Sequence, residues 1–289
     1  MRKLLLIVLL VSCHLSAQRI ESLGQTSSSK TKSSDRPKGW VLYRDPSDAD
    51  LRCANYSERE WEVSLKAENL QIRLDTDRDH QDPLPPEITS RDVAAGSKTE
   101  RHVIRVSDGW LIGLNRGEFG GGLWWFSSDG KRSKRISGEP VVGFADSSKG
   151  VLSLVGLAHL FSDSGRVLRI SDGKDGNRTI EMAADLGSAP RTFVVESPES
   201  ILVITTHGLA RVQTSGKVER LFTARYGLLY PNSMALSASG VIYVGMRHFV
   251  TRLTPTGNGY KEEWFVPTDC SRFRIRTSNL SCVCVSGKQ

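Results

Sequence analysis

VIYVGMRHFVTRLTPTGNGYKEEWFV, residues 241–266, reads as three short strands: an apolar run, a break at "MRH", a second run, a turn ending in Gly257, and a third run closed by "EEWFV". The same order recurs three more times: "WLIGLN" with "GGLWWFSSDGKRSKRI" (110–136), "VLSLVGLAHLFSDSGRVLRI" (151–170) and "ILVITTHGLARVQTSGKVERLF" (201–222). Before each unit stands one more apolar segment, "HVIRVS", "PVVGFAD", "TFVVES" or "NSMALSAS". Four strands per unit of about 40 to 45 residues is the period of a β-propeller blade. Helical periodicity is nearly absent, which places the chain in the all-β class. A blade is covered by a neighbour on each face, so its strands need not alternate apolar with polar residues. Runs such as "VIYVG" follow from that.

Taking Gly130, Gly165, Gly216 and Gly257 as the turn glycines gives spacings of 35, 51 and 41 residues. The long interval is assigned to an insertion, "DGKDGNRTIEMAADLGSAP" (172–190). Residues 270–285, "CSRFRIRTSNLSCVCV", supply two inner strands of a fifth blade. "GWVLYRD" and "EREWEVSL" near the other chain end supply its outer strands, so N-terminal strands close the ring and hide its sheet edges. Five blades are expected, or six if residues 40–100 form more than two strands.

The chain opens with two basic residues, the apolar run Leu4–Val11 and small polar residues, the layout of an export signal. Two cuts are open: after Ala17, or before Cys13, because "LVSC" resembles a lipoprotein box in which Cys13 is acylated and anchors the chain to lipid. The apolar run is too short for a transmembrane helix. Residues 18–38 are Ser- and Lys-rich and read as a disordered linker, leaving 39–289 as one propeller domain. Cys53, Cys270, Cys282 and Cys284 are an even set in an exported chain and so disulfide candidates; closure of the ring brings Cys53 towards Cys282 or Cys284.

The formal net charge is +7, or +5 once Arg2 and Lys3 leave with the signal. The basic residues are scattered and no nucleic-acid motif accompanies them, which excludes a nucleic-acid reading. "KRSKR" (131–135) reads as a solvated outer strand. "DTDRDHQD" (75–82) fails the EF-hand pattern, with His80 where the turn needs glycine and Pro86 where the bidentate glutamate belongs. No G-x-S-x-G elbow, H-E-x-x-H helix or Walker loop is present.

These blades resemble the broad class of secreted and periplasmic β-propellers. Within it, "YPNSMALSASGVIYVG" resembles a blade opening of the gluconolactonase and strictosidine-synthase-like propellers. That resemblance implies a metal ligand at Asn232, with Asp146 and Glu196 at the ends of other inner strands, around one divalent cation. A metal-dependent lactonase or esterase is therefore the alternative function. The leading expectation is a non-catalytic exported propeller without a cofactor, engaging a protein or cell-envelope polymer through the loops of one face. Aligned on the turn glycines, the tips of three blades carry Arg116, Glu118, Phe119, His207, Arg247 and His248, which form the expected binding ring. In "RGEFGGGLWWF" (116–126), Leu123–Phe126 are a blade strand whose Trp124 and Trp125 face opposite neighbours. The long tip before them is what strand geometry leaves unexplained.

Overall fold

The structure, a computed structural model, describes residues 36–75, 81–94, 96, 99–171, 173 and 176–268. The expected export signal, nearly all of the linker, and the strands expected at 270–285 lie outside the described residues.

Nineteen strands are described, with one α-helix and two 3-10 turns. β1 (Trp40–Tyr43), α1 (Asp48–Asn55), β2 (Trp61–Lys66) and β3 (Asn69–Leu74) come first. Blade one is β4 (Glu100–Val106), β5 (Gly109–Asn115), β6 (Gly121–Ser127) and β7 (Ser133–Ser137). Blade two is β8 (Val141–Ser147), β9 (Gly150–His159), β10 (Ser162–Ile170) and β11 (Ile180–Asp185), and blade three is β12 (Pro190–Ser197), β13 (Ser200–Thr205), β14 (Gly208–Gln213) and β15 (Val218–Thr223). Blade four is β16 (Ser233–Leu236), β17 (Ile242–Gly245), β18 (Val250–Thr256) and β19 (Gly259–Pro267). Each is an antiparallel meander, and β2 with β3 forms a separate two-stranded sheet. The protein is a β-propeller.

The third strands of the four blades end at Ser127, Ile170, Gln213 and Thr256, an interval of 43 residues each time. The uneven spacing of turn glycines came from Gly165, which is not a turn residue. It lies within β10, paired with Gly156 of β9. A Cβ on either glycine would collide with Pro190, so the pair is a notch that lets the next blade approach. "IEMAAD" inside the supposed insertion is β11, the outer strand of blade two.

Side-chain alternation explains the continuous apolar runs. On β9, Val151 and Val155 pack towards blade one, with Leu111, Leu123 and Trp125. Leu152 and Leu154 pack towards blade three, with Ile201 and Val203. On β13 the neighbours Leu202 and Ile204 turn the other way, into the cluster shared with Val244 and Phe249 of blade four. Each buried Leu, Ile or Val contributes about 1.5 to 3 kcal/mol of transfer free energy, and every strand of this kind supplies two interfaces.

The N-terminal strands do join the ends of the ring, in different places from those expected. β1 does not pair with β2. It adds to β19 as a fifth, outermost strand of blade four, with Trp40 opposite Pro267 and Tyr43 opposite Trp264. β2 takes an inner position: Ser233 of β16 accepts the Val63 N–H at 2.9 Å, and Glu60 and Glu62 look into the central cavity. Trp40 and Trp61 meet edge to face at 4.9 Å in the seam between blade four and this unit. Residues 40–100 hold three strands, but β1 belongs to blade four and no sixth sheet arises among the described residues.

Helix α1 was not legible from periodicity. Ser47 caps it: its Oγ accepts the Asp50 N–H, while the Asp50 carboxylate accepts the Ser47 N–H. Leu51 and Ala54 then bury against blades three and four. No described helix is long and apolar enough to cross a membrane.

Candidate functional site: a polarised cavity at the entry end

Because the meanders are antiparallel, the start of each inner strand lies beside the hairpin joining the second strand to the third. This entry end holds the tips at 116–120, 160–161, 206–207 and 246–249, and a cavity of about 780 Å3 between the inner strands.

Its walls differ. Glu60 just before β2, Glu62 on β2, Asp75 just after β3, Asp82 and Glu100 at the start of β4 line one side. Val142, Gly143 and Phe144 of β8 make a neutral wall, which Phe193 of β12 continues. Gly143 is required there, since a Cβ would strike the Phe193 ring. Arg191 of β12, with Tyr230 and Asn232 before β16, forms the remaining side.

The carboxylates are each held by protein donors. Arg73 bridges Glu62 at 2.8 and 2.9 Å, and Arg247 bridges Glu60 at 2.7 and 3.0 Å. Asn232 Nδ2 donates to Asp75 at 3.2 Å, the Val103 N–H to Asp82 at 2.9 Å, and Asn115 Nδ2 to Glu100 at 2.7 Å. Arg191 is the exception. Its guanidinium makes no hydrogen bond or ion pair among the described residues, and its contact is the Tyr230 ring, 5.5 Å away. Arg247 stands over the same ring at 4.1 Å. Burial pulls the Arg191 pKa below the ordinary arginine value, with the charges of Tyr230, Asp163 and Glu100 acting the other way.

The six residues of the expected ring fall in four places. Arg116, Glu118 and Phe119 sit on the exposed turn at the tip of blade one. Glu118 reaches the tip of blade two, where His159 Nε2 is 2.7 Å from its carboxylate. His207 at the tip of blade three approaches Asp163 at 3.2 Å, and Asp163 also accepts the Thr206 hydroxyl and the Ala189 N–H. Arg247 belongs to the cavity rim, fixed by Glu60 and by the Asn55 carbonyl at 2.8 Å. The tips are thus tied to their neighbours around the ring.

His248 is not at the mouth. It is buried, with backbone at φ 71°; its N–H donates to the Arg59 carbonyl and its own carbonyl accepts the Trp61 indole N–H. A tight turn turns the side chain inward against Phe249, which a tip alignment by sequence does not reveal. Burial lowers the His248 pKa from 6.5 to about 4. The unfolded chain therefore binds the proton first: stability from this group is complete above pH 6.5 and is lost as pH falls towards 4. Between pH 7 and pH 5 we expect a loss of about 2 kcal/mol in urea unfolding that His248→Asn, which tolerates the positive φ, does not show. Equal acid sensitivity in both proteins would assign the loss to other groups.

The three residues of the metal reading are not brought together. Asn232 leads into β16 at the entry end, whereas Asp146 pairs with Val151 beside the β8–β9 turn and Glu196 lies beside the β12–β13 turn. Glu196 is occupied by Arg211, at 2.7 and 2.8 Å, and by the Ser200 hydroxyl. That pairing holds its carboxyl below the ordinary range. Among the described residues, no three His, Cys, Asp or Glu side chains gather where they could hold one metal ion. Cys53 lies on α1; Cys270, Cys282 and Cys284, like Cys13, lie outside the described residues.

Sequence reading missed Arg191, His159, Asp163 and Glu60. Arg191 is within reach of the sequence: the segment "TFVVES" begins at Thr192, whereas β12 begins two residues earlier at Pro190 and so includes the cavity-facing arginine.

No protein-family model and no curated protein matches the chain. Among solved structures, it is similar to a Bacteroides caccae protein of unknown function (12% identity, TM-score 0.37, covering 58% of this chain and 61% of that one). It is also similar to a streptogramin B lyase (13%, TM-score 0.38, covering 83% and 74%) and the Neurospora crassa Pan2 WD40 domain (16%, TM-score 0.35, covering 63% and 52%). The chain thus spans 61% and 52% of the Bacteroides and Neurospora structures. At these values the likenesses say nothing of chemistry, and the propeller assignment stands on the blades themselves.

Proposed function

We propose that this chain is an exported propeller that binds an extracellular or cell-envelope protein or polymer through its entry end. The observation that carries this reading is the apolar surface of two adjoining tips. Phe119 on blade one and Leu160 and Phe161 on blade two are all more than three-quarters exposed. Large apolar side chains left in water beside one another are a feature of surfaces that meet a partner. They are held, not loose: the Glu118–His159 contact ties the two tips together, and Leu160 adopts a left-handed backbone at φ 50° to present the turn. Export through residues 1–17, or anchoring at Cys13, and a cystine from Cys53 to Cys282 or Cys284 belong to the same proposal.

Replacing Phe119 and Phe161 together by serine tests it. Chemical cross-linking on intact producing cells, followed by recovery of the tagged protein, should yield an adduct with wild type that falls at least about fivefold with the variant, while the melting temperature is unchanged. An undiminished adduct places the binding surface elsewhere.

A further inference from the structure

We propose that the central cavity is a binding site for a small zwitterion, an amino acid with an apolar side chain, whose carboxylate is taken by Arg191 and whose ammonium faces the carboxylates across the cavity. This rests on reading the entry end as the binding face and names a ligand class for it.

Three features support it. The first is the arginine. Asp163 and Glu100 act on Arg191 only through their charge, and a half-buried guanidinium that makes no hydrogen bond or close ion pair is costly, while its planar fork matches a carboxylate. Every other cavity-lining charge described above has a partner in the protein. The second is the arrangement of charge around the ring. Glu62 and Asp75 of the two-stranded unit and Glu100 of blade one form one side, and Arg191 of blade three stands on the other. In strand order β2, β4, β8, β12, β16, blade three adjoins neither acidic wall, so the cavity is a fixed dipole. Each carboxylate is oriented by its donor and keeps further lone pairs to accept from an ammonium. The third is the neutral wall, where Phe144 of β8 and Phe193 of β12 give an apolar surface between the two charged sides. An anion alone would leave the acidic side, where Glu60 and Glu62 are already paired with Arg247 and Arg73, without a donor, and a cation alone would leave Arg191 without an acceptor. A molecule carrying both charges satisfies both sides.

Calorimetric titration of the intact exported protein tests this, using L-phenylalanine and L-leucine with the half-probes 3-phenylpropanoate and phenethylamine. We expect at least one of the two amino acids to bind and raise the melting temperature, and each half-probe to bind at least about tenfold more weakly than phenylalanine. Arg191→Met should weaken amino-acid binding by about tenfold or more and remove the preference for phenylalanine over phenethylamine. Glu100→Gln, which keeps an acceptor for Asn115, should weaken phenylalanine but not 3-phenylpropanoate. Absence of heat and of any melting shift with both amino acids at about 10 mM overturns the inference, as does equal binding of phenylalanine and phenethylamine by wild type. The wild-type comparison decides the matter even if a variant fails to fold. The serine-substituted tips report separately on the partner surface, so either reading can fail alone.

Discussion

Arg247→Met should destabilise the protein by about 3–5 kcal/mol in urea unfolding. Arg247 and Glu60 side chains are 15% and 10% exposed, and two guanidinium N–H groups donating to one Glu60 carboxylate oxygen join the tip of blade four to the residue just before β2. Removing the arginine leaves Glu60 buried without its cation and strips the Asn55 carbonyl of a donor. The same substitution loosens the point at which the N-terminal unit seats on blade four, because Glu60 and Arg247 also form a backbone bridge. Glu60→Gln alone leaves Arg247 without its anion but should cost less, since the amide oxygen still accepts from the guanidinium and the Asn55 carbonyl keeps its donor. The pair Glu60→Gln/Arg247→Met should recover part of the single-variant loss, giving a coupling energy above about 1 kcal/mol. A loss below about 1 kcal/mol for Arg247→Met would mean that the contact is solvent-screened and does not hold the ring.

The contrast between this clasp and the blades shows what the sequence could carry. Blade strands announce themselves because their signal is local: "ILVI" is apolar throughout and "VLSLV" is interrupted only by Ser153, for the reason seen on β9, where odd and even residues enter different interfaces. The 43-residue interval was also present in the sequence, obscured because a glycine that makes room for Pro190 looks the same as a glycine that makes a turn. The clasp depends on residues 187 positions apart, and no pattern in "EREWEVSL" distinguishes an inner strand facing a cavity from an outer strand. For the same reason Arg116 and His248 look alike as tip residues. Which side of a tight turn a side chain takes depends on one φ angle, and at His248 that angle sends it into the core.

The tip of blade one ends in the strand that sets the largest packing test. Trp125→Ala should cost about 3–5 kcal/mol, whereas Trp124→Ala should cost about 1 kcal/mol. Trp125 is fully buried between blades one and two, and its indole N–H donates to Asp108 at 3.1 Å. Asp108 in turn pairs with the buried Arg178 and accepts the Gly176 N–H, so the indole closes a network that spans the two blades. That network holds the Asp108 carboxyl below its ordinary range, despite burial acting the other way. Gly176 packs so closely on the Trp125 ring that a Cβ there would collide with it. Trp124, one residue earlier, points to the opposite face, remains half-buried beside Ile112 and Leu114, and has the Arg135 guanidinium 5.8 Å from its ring. Trp125→Phe separates the two parts of the loss: it keeps most of the packing and removes the donor to Asp108, for an expected cost of about 1–2 kcal/mol. Equal losses at 124 and 125 would contradict the register of β6, because a slip of one residue exchanges the faces of every side chain in the strand.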